Sequence, residues 1–244
     1  MTSTRAAAHR HALVVLLTLN AGATDAVGFL ALGGAFTSVM TGNLVLFGSA
    51  VARADGELVR HAAVAVGCYV AGCVVGARLA GTPEPEQPVW PARVSIALGV
   101  EAALFAGYAI GWEVTGSAPS GAVQLALLAG NAVALGIQSS SVQRFGVSGL
   151  STTYMTGTLT TLVVRLTSGH RVRDVADALQ LLAALVAGAA LAALLVEHAR
   201  AAVPLLQVGS LAAVLAGSAV LARRKPSSRE DVAFPLGVVD QPGS

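Results

Sequence analysis

Apolar runs of about 20 residues follow one another along most of the chain, separated by short polar stretches. That is the length an α-helix needs to cross the roughly 30 Å hydrocarbon core of a bilayer. The pattern predicts eight such elements. They cover about Ala12–Gly34, Ala35–Ala52, His61–Ala80, Ala92–Trp112, Gly121–Ser141, Gly149–Thr167, Val175–Glu197 and Val203–Ala222. The second and sixth are short, and each carries a small polar knot where the run should cross. The knots are Met40-Thr41-Gly42-Asn43-Leu44 and Met155-Thr156-Gly157-Thr158-Leu159. Each short span could therefore be broken or re-entrant, which gives six full crossings as the alternative count. Irregular backbone at membrane depth is tolerated only inside protein or along a wet cavity.

The two knots lie about 115 residues apart and at the same ordinal place in the chain. About a span before each lies a second pair of matching segments. Gly22-Ala23-Thr24-Asp25-Ala26 aligns with Gly136-Ile137-Gln138-Ser139-Ser140 after a one-residue shift. This predicts an internal repeat, residues 12–112 and 121–222, between a basic arm (1–11) and a disordered cytoplasmic tail (223–244). Four spans per half is an even number, so the expectation is two parallel halves related by an axis along the membrane normal.

Composition agrees with a membrane protein. The chain is 55% hydrophobic and 11% charged, with a mean hydropathy of +0.71, where soluble domains carry about 25% charge. No basic stripe interleaved with aromatics exists, so nucleic acid is not an expected partner. The lipid bilayer is, together with a small-molecule or ion substrate. With eight spans, eleven Lys/Arg fall on the side of the termini and four on the other. An excess of basic residues marks the cytoplasmic face, so both termini are expected there. Arg5, His9, Arg10 and His11 before an apolar run imitate a secretory signal. The run continues past Asp25, however, and a retained first span fits the repeat better.

The motifs Gly22-x-x-Asp25-Ala26, Phe36-x-x-x-Met40-Thr41-Gly42-Asn43, Gly136-x-Gln138 and Thr156-Gly157-Thr158-Leu159 resemble those of the YoaK-like, or DUF1275, bacterial membrane proteins. The resemblance runs over nearly all of residues 12–222. It implies a small inner-membrane protein and leaves the activity open. Ser139 and Ser140 stand where the family motif has Asn and Ala.

Two carboxylates, Asp25 and Glu101, fall inside predicted spans. A charge at mid-membrane costs roughly 2.5–3.5 kcal/mol on insertion scales, which makes both candidates for function. Alternatively, one pairs with an arginine or caps a broken helix. The knots offer hydroxyls, an amide and bare backbone, which suit either a ligand or a helix crossing. Gln138, Asn131, Asn20 and Gln124 could line a polar path or bond helix to helix. The candidate path is Asp25, Thr41, Gly42, Asn43, Glu101, Gln138, Thr156, Gly157 and Thr158. The five histidines lack carboxylate or cysteine partners at ligand spacing, and no nucleophile elbow or phosphate loop is present. No metal, cofactor or catalytic residue is therefore expected. Cys68 and Cys73, five apart on one helix, point to different faces and are read as packing residues. The leading expectation is a transporter with a polar site between the halves. A lipid-acting membrane enzyme and a non-catalytic subunit or assembly factor are the alternatives.

Overall fold

The computed structural model describes residues 2–81, 90–143, 155–169 and 171–223, side chains from residue 6 onward and up to 221. The disordered-tail expectation, most of the Gly81–Pro91 loop and the start of the sixth predicted span lie outside the described residues. What is described is α-helical: α1 (Thr2–Ala31), α2 (Met40–Ala52), α3 (Gly56–Ala80), α4 (Ala92–Val114), α5 (Gly121–Val142), α6 (Met155–Thr167), α7 (Ala176–His198) and α8 (Val203–Arg223). Short 3-10 turns lead into α7 and α8. The basic arm is the first turns of α1, which runs unbroken past Ala21–Ala23.

Six helices are long and apolar enough to cross a membrane: α1, α3, α4, α5, α7 and α8. α2 and α6 have 13 residues each. At 1.5 Å per residue that is about 20 Å, short of the hydrocarbon core. α1, α4, α5 and α8 form a central bundle, α3 packs along α5, and α7 packs along α1.

The direction of each helix follows from its contacts. Gln124, near the start of α5, donates to the carbonyl of Ala31 at the end of α1, while Gln138 near the end of α5 donates to Leu17. α1 and α5 are therefore antiparallel. Ser95 meets Ser218, and Trp112 donates to the Arg200 carbonyl, so α4 and α8 are antiparallel too. In contrast, α7 runs parallel to α1, with His11 against Gln180 and Gly22 against Leu185. α3 runs parallel to α5, with Gly72 against Val133 and Gly76 against Ile137.

These directions favour the alternative count of six crossings over eight. α3 begins where α1 ends, because the His61 ring lies against Gly33 and Leu58 against Gly34 in the turn after α1. The segment holding α2 thus leaves and returns at one end of the bundle. α5 ends at the same end where α7 begins, so the segment holding α6 also returns without crossing. The physical cause is the short length of α2 and α6.

Helix contact is closest at four glycines. A Cβ on Gly22 would overlap the Leu185 carbonyl, and one on Gly188 the Leu19 carbonyl. On the other pair, a Cβ on Gly72 would overlap Val133 O and one on Gly136 would overlap Tyr69 O. Small residues let membrane helices approach to backbone contact. Gly67, just over one turn before Gly72 on α3, meets nothing within 4 Å.

Candidate functional site

The first knot builds a break in the chain. After α1, Gly33 and Gly34 take φ of 98° and 78°, which glycine adopts without a Cβ penalty. The chain then folds back along α1. There the Asp25 carboxylate collects four donors. Its Oδ1 accepts from the Thr37 amide (2.8 Å), the Thr37 hydroxyl (3.0 Å) and the Ser38 amide (2.7 Å). Its Oδ2 accepts from the Ser38 hydroxyl at 2.6 Å. Asp25 thus satisfies amides just before α2 that no helix bond reaches.

Asn43 fixes the other side of the break. Its Oδ1 accepts from the Phe36 amide at 2.9 Å, and its Nδ2 donates to the Phe36 carbonyl at 2.7 Å. Phe36 stacks on Phe29 of α1 with ring centroids 5.0 Å apart. Gly42 faces that same Phe36 ring, where a Cβ would stand 3.3 Å from the nearest ring atom. Gly28 lets the break close onto α1, since a Cβ there would be 2.8 Å from the Ala35 carbonyl. Thr41 is exposed on the outside of α2. His61, fully buried, props the turn from α3: its Nδ1 lies 2.8 Å from the Glu57 carbonyl and its ring lies against Gly33. Its place at the edge of a run gave no sign of this role.

In the second knot Thr156 and Gly157 are exposed and Thr158 is buried. The chain before Met155 lies outside the described residues, as do Ser151–Tyr154. Ser139, which aligns with Asp25, is buried.

A separate polar set lies within the central bundle. Asn20 on α1, Glu101 on α4, Asn131 and Gln138 on α5, and Gln207 on α8 all have no exposed surface. Register places them in two levels. Gly111 of α4 meets Leu127 of antiparallel α5, and ten residues further in, Glu101 stands level with Ile137 and Gln138. Tyr108, level with Asn131, faces Gln207. The levels are seven residues, or about 10 Å, apart along α5, and Asn20 falls between them. Among the described residues, neither oxygen of Glu101 has a hydrogen-bond partner, nor do the amides of Asn20 and Asn131. Buried polar groups are normally paired, and an unpaired buried carboxylate costs several kcal/mol.

The expected path therefore divides. Asp25, Gly42 and Asn43 belong to the break before α2, with Asp25 level with Asn131 in the α1–α5 register. Glu101 and Gln138 share the other level. Thr41, Thr156 and Gly157 face outward. Asn131 and Asn20 join the core set, which Gln207 and Tyr108 complete. The latter two gave no sequence signal beyond being polar residues inside apolar runs.

Most of this architecture falls inside one family match. The model of "Protein of unknown function (DUF1275)" matches residues 13–217. The chain belongs to the DUF1275 family. It is also 32% identical over 158 residues to the UPF0700 transmembrane protein YoaK of Bacillus subtilis (strain 168), covering 65% of this chain and 68% of that protein. No solved structure matches. As a DUF1275 member with six apolar spans, the chain is an integral membrane protein of a family of unknown function.

Proposed function

We propose that this DUF1275 protein is a transporter of a small molecule or ion, not an enzyme, with its site in the α1/α4/α5/α8 core. One observation carries the reading: Glu101 is fully buried there, with both oxygens unpartnered among the described residues. A group held at such cost inside a membrane bundle is a functional candidate by default. Asp25 is assigned instead to holding the break before α2, because Thr37 and Ser38 use its acceptors.

The pairing of helices supports an internal duplication of inverted type. α1 lies on α7 as α5 lies on α3, and Gly22 with Gly188 repeats as Gly136 with Gly72. Three crossings plus one returning helix make each half. A pseudo-two-fold axis in the membrane plane would pass through the central core, where transporters of this design bind substrate.

The bacterial plasma membrane, with cytoplasmic termini, suits the charges. Arg5, Arg10, Arg78, Arg93, Arg165, Arg171, Arg173 and Arg223 fall at the end that holds the termini. Arg53, Arg60 and Arg200 fall at the other. Basic residues favour the cytoplasmic side.

The test is flux into proteoliposomes loaded with pH- and potential-sensitive dyes, offered Na⁺, K⁺ and small organic amines or acids in turn. Dye responses present in wild type and lost in Glu101→Gln support the site. A response unchanged in Glu101→Gln removes it.

A further inference from the structure

We infer that Glu101 is the binding site for an exchangeable monovalent cation. The inference rests on the site proposed above and names what it takes.

The chemistry around Glu101 decides the class. Among the described residues, the buried ionisable groups are Asp25, His61, Tyr108 and Glu101, and no lysine or arginine is buried. Asp25 is occupied by the break. His61 sits at the start of α3, against the turn after α1. Its level is far from that of Glu101, since parallel α3 and α5 place His61 beside the first turn of α5 and Glu101 beside Gln138. Of the helices packed on α4, α5 carries no ionisable side chain at all. α8 carries only Arg223, at its last residue, and α3 has Cys68, Tyr69 and Cys73 in its middle and Arg78 near its end. On α4 itself, Tyr108 lies two turns away, Arg93 at the start and Glu113 at the exit. Among the described residues, Arg78 of α3 is the basic group nearest that level, and it is exposed. No buried basic group among them balances the acid or would pair with an anion. A small cation has the carboxylate of Glu101, and the buried Asn20 amide lies between that level and the next.

A proton and an alkali-metal ion share this chemistry, and two measurements on purified full-length protein separate them. The first is infrared difference spectroscopy across pH 5–9 in alkali-free buffer. A protonated-carboxyl band present in wild type and absent from Glu101→Gln identifies the cation as a proton. The second is thermal unfolding at rising Na⁺ or K⁺, with choline held as the balancing salt. A rise in melting temperature of several degrees in wild type, absent in Glu101→Gln, identifies an alkali-metal ion. Either result supports the inference. If neither signal depends on Glu101, while Glu101→Gln and Glu101→Asp elute as monodisperse folded protein, the inference is overturned. Failure of the transport reading looks different: the Glu101 signal is present but no cation moves in proteoliposomes.

Discussion

Asn43 and Phe36, seven residues apart, are joined by two hydrogen bonds in opposite senses, the Asn43 amide accepting from the Phe36 N–H and donating to its carbonyl. A side-chain amide here completes what would otherwise be unpaired backbone at membrane depth. Asn43→Asp keeps the acceptor and loses the donor, so the Phe36 carbonyl is left bare. The expected cost is about 1–3 kcal/mol. It should be read as faster amide exchange across residues 35–38, with exchange in α5 unchanged.

Asp25 is expected to matter for stability before it matters for activity. Asp25→Ala leaves two amides and two hydroxyls without their acceptor. Leaving a buried donor unsatisfied costs about 1–3 kcal/mol. Detergent-solubilised Asp25→Ala should melt well below wild type, while Thr41→Ala, at an exposed position, should melt with it. Equal melting of Asp25→Ala and wild type would remove the structural role.

Helix contact at the glycines gives a graded series. Gly72→Val and Gly188→Val force side chains into the Val133 and Leu19 carbonyls, at about 1–3 kcal/mol each. Gly67→Ala and Gly107→Ala, with nothing within 4 Å, should stay within about 0.5 kcal/mol of wild type. Thermal unfolding of the four variants checks the order.

The direction of the halves is open to labelling from outside. In a Cys68→Ala, Cys73→Ala background, Glu113→Cys and Arg171→Cys are both exposed. With α2 and α6 returning, these positions lie on opposite sides of the membrane. With eight full crossings they would share a side. A membrane-impermeant maleimide on intact cells should therefore label Glu113→Cys and leave Arg171→Cys unlabelled until the cells are opened.

Much of this fold is legible in the sequence, because a span needs only length and apolar composition. All six crossing helices coincide with predicted runs. The break before α2 is announced by Met40-Thr41-Gly42, and Met155-Thr156-Gly157 opens α6. What hydropathy cannot state is whether a short apolar run crosses or returns. That depends on Asp25 reaching Thr37 and Ser38, twelve and thirteen residues on, and on His61 standing against Gly33. Charge placement was no arbiter, since the basic residues favour the side of the termini under either count. The core set was only half legible. Glu101 stands out as an acid in an apolar run, but the shared level of Glu101 and Gln138 is a property of helix register.

The aligned positions Asp25 and Ser139 lie toward opposite ends of antiparallel helices, one a carboxylate, the other a hydroxyl. A perfectly symmetric bundle would present the same chemistry to cytoplasm and exterior. Here one end carries a carboxyl group tied to Thr37 and Ser38 and its counterpart only a hydroxyl, so the molecule has a built-in sidedness. Inserting it upside down would yield a different device.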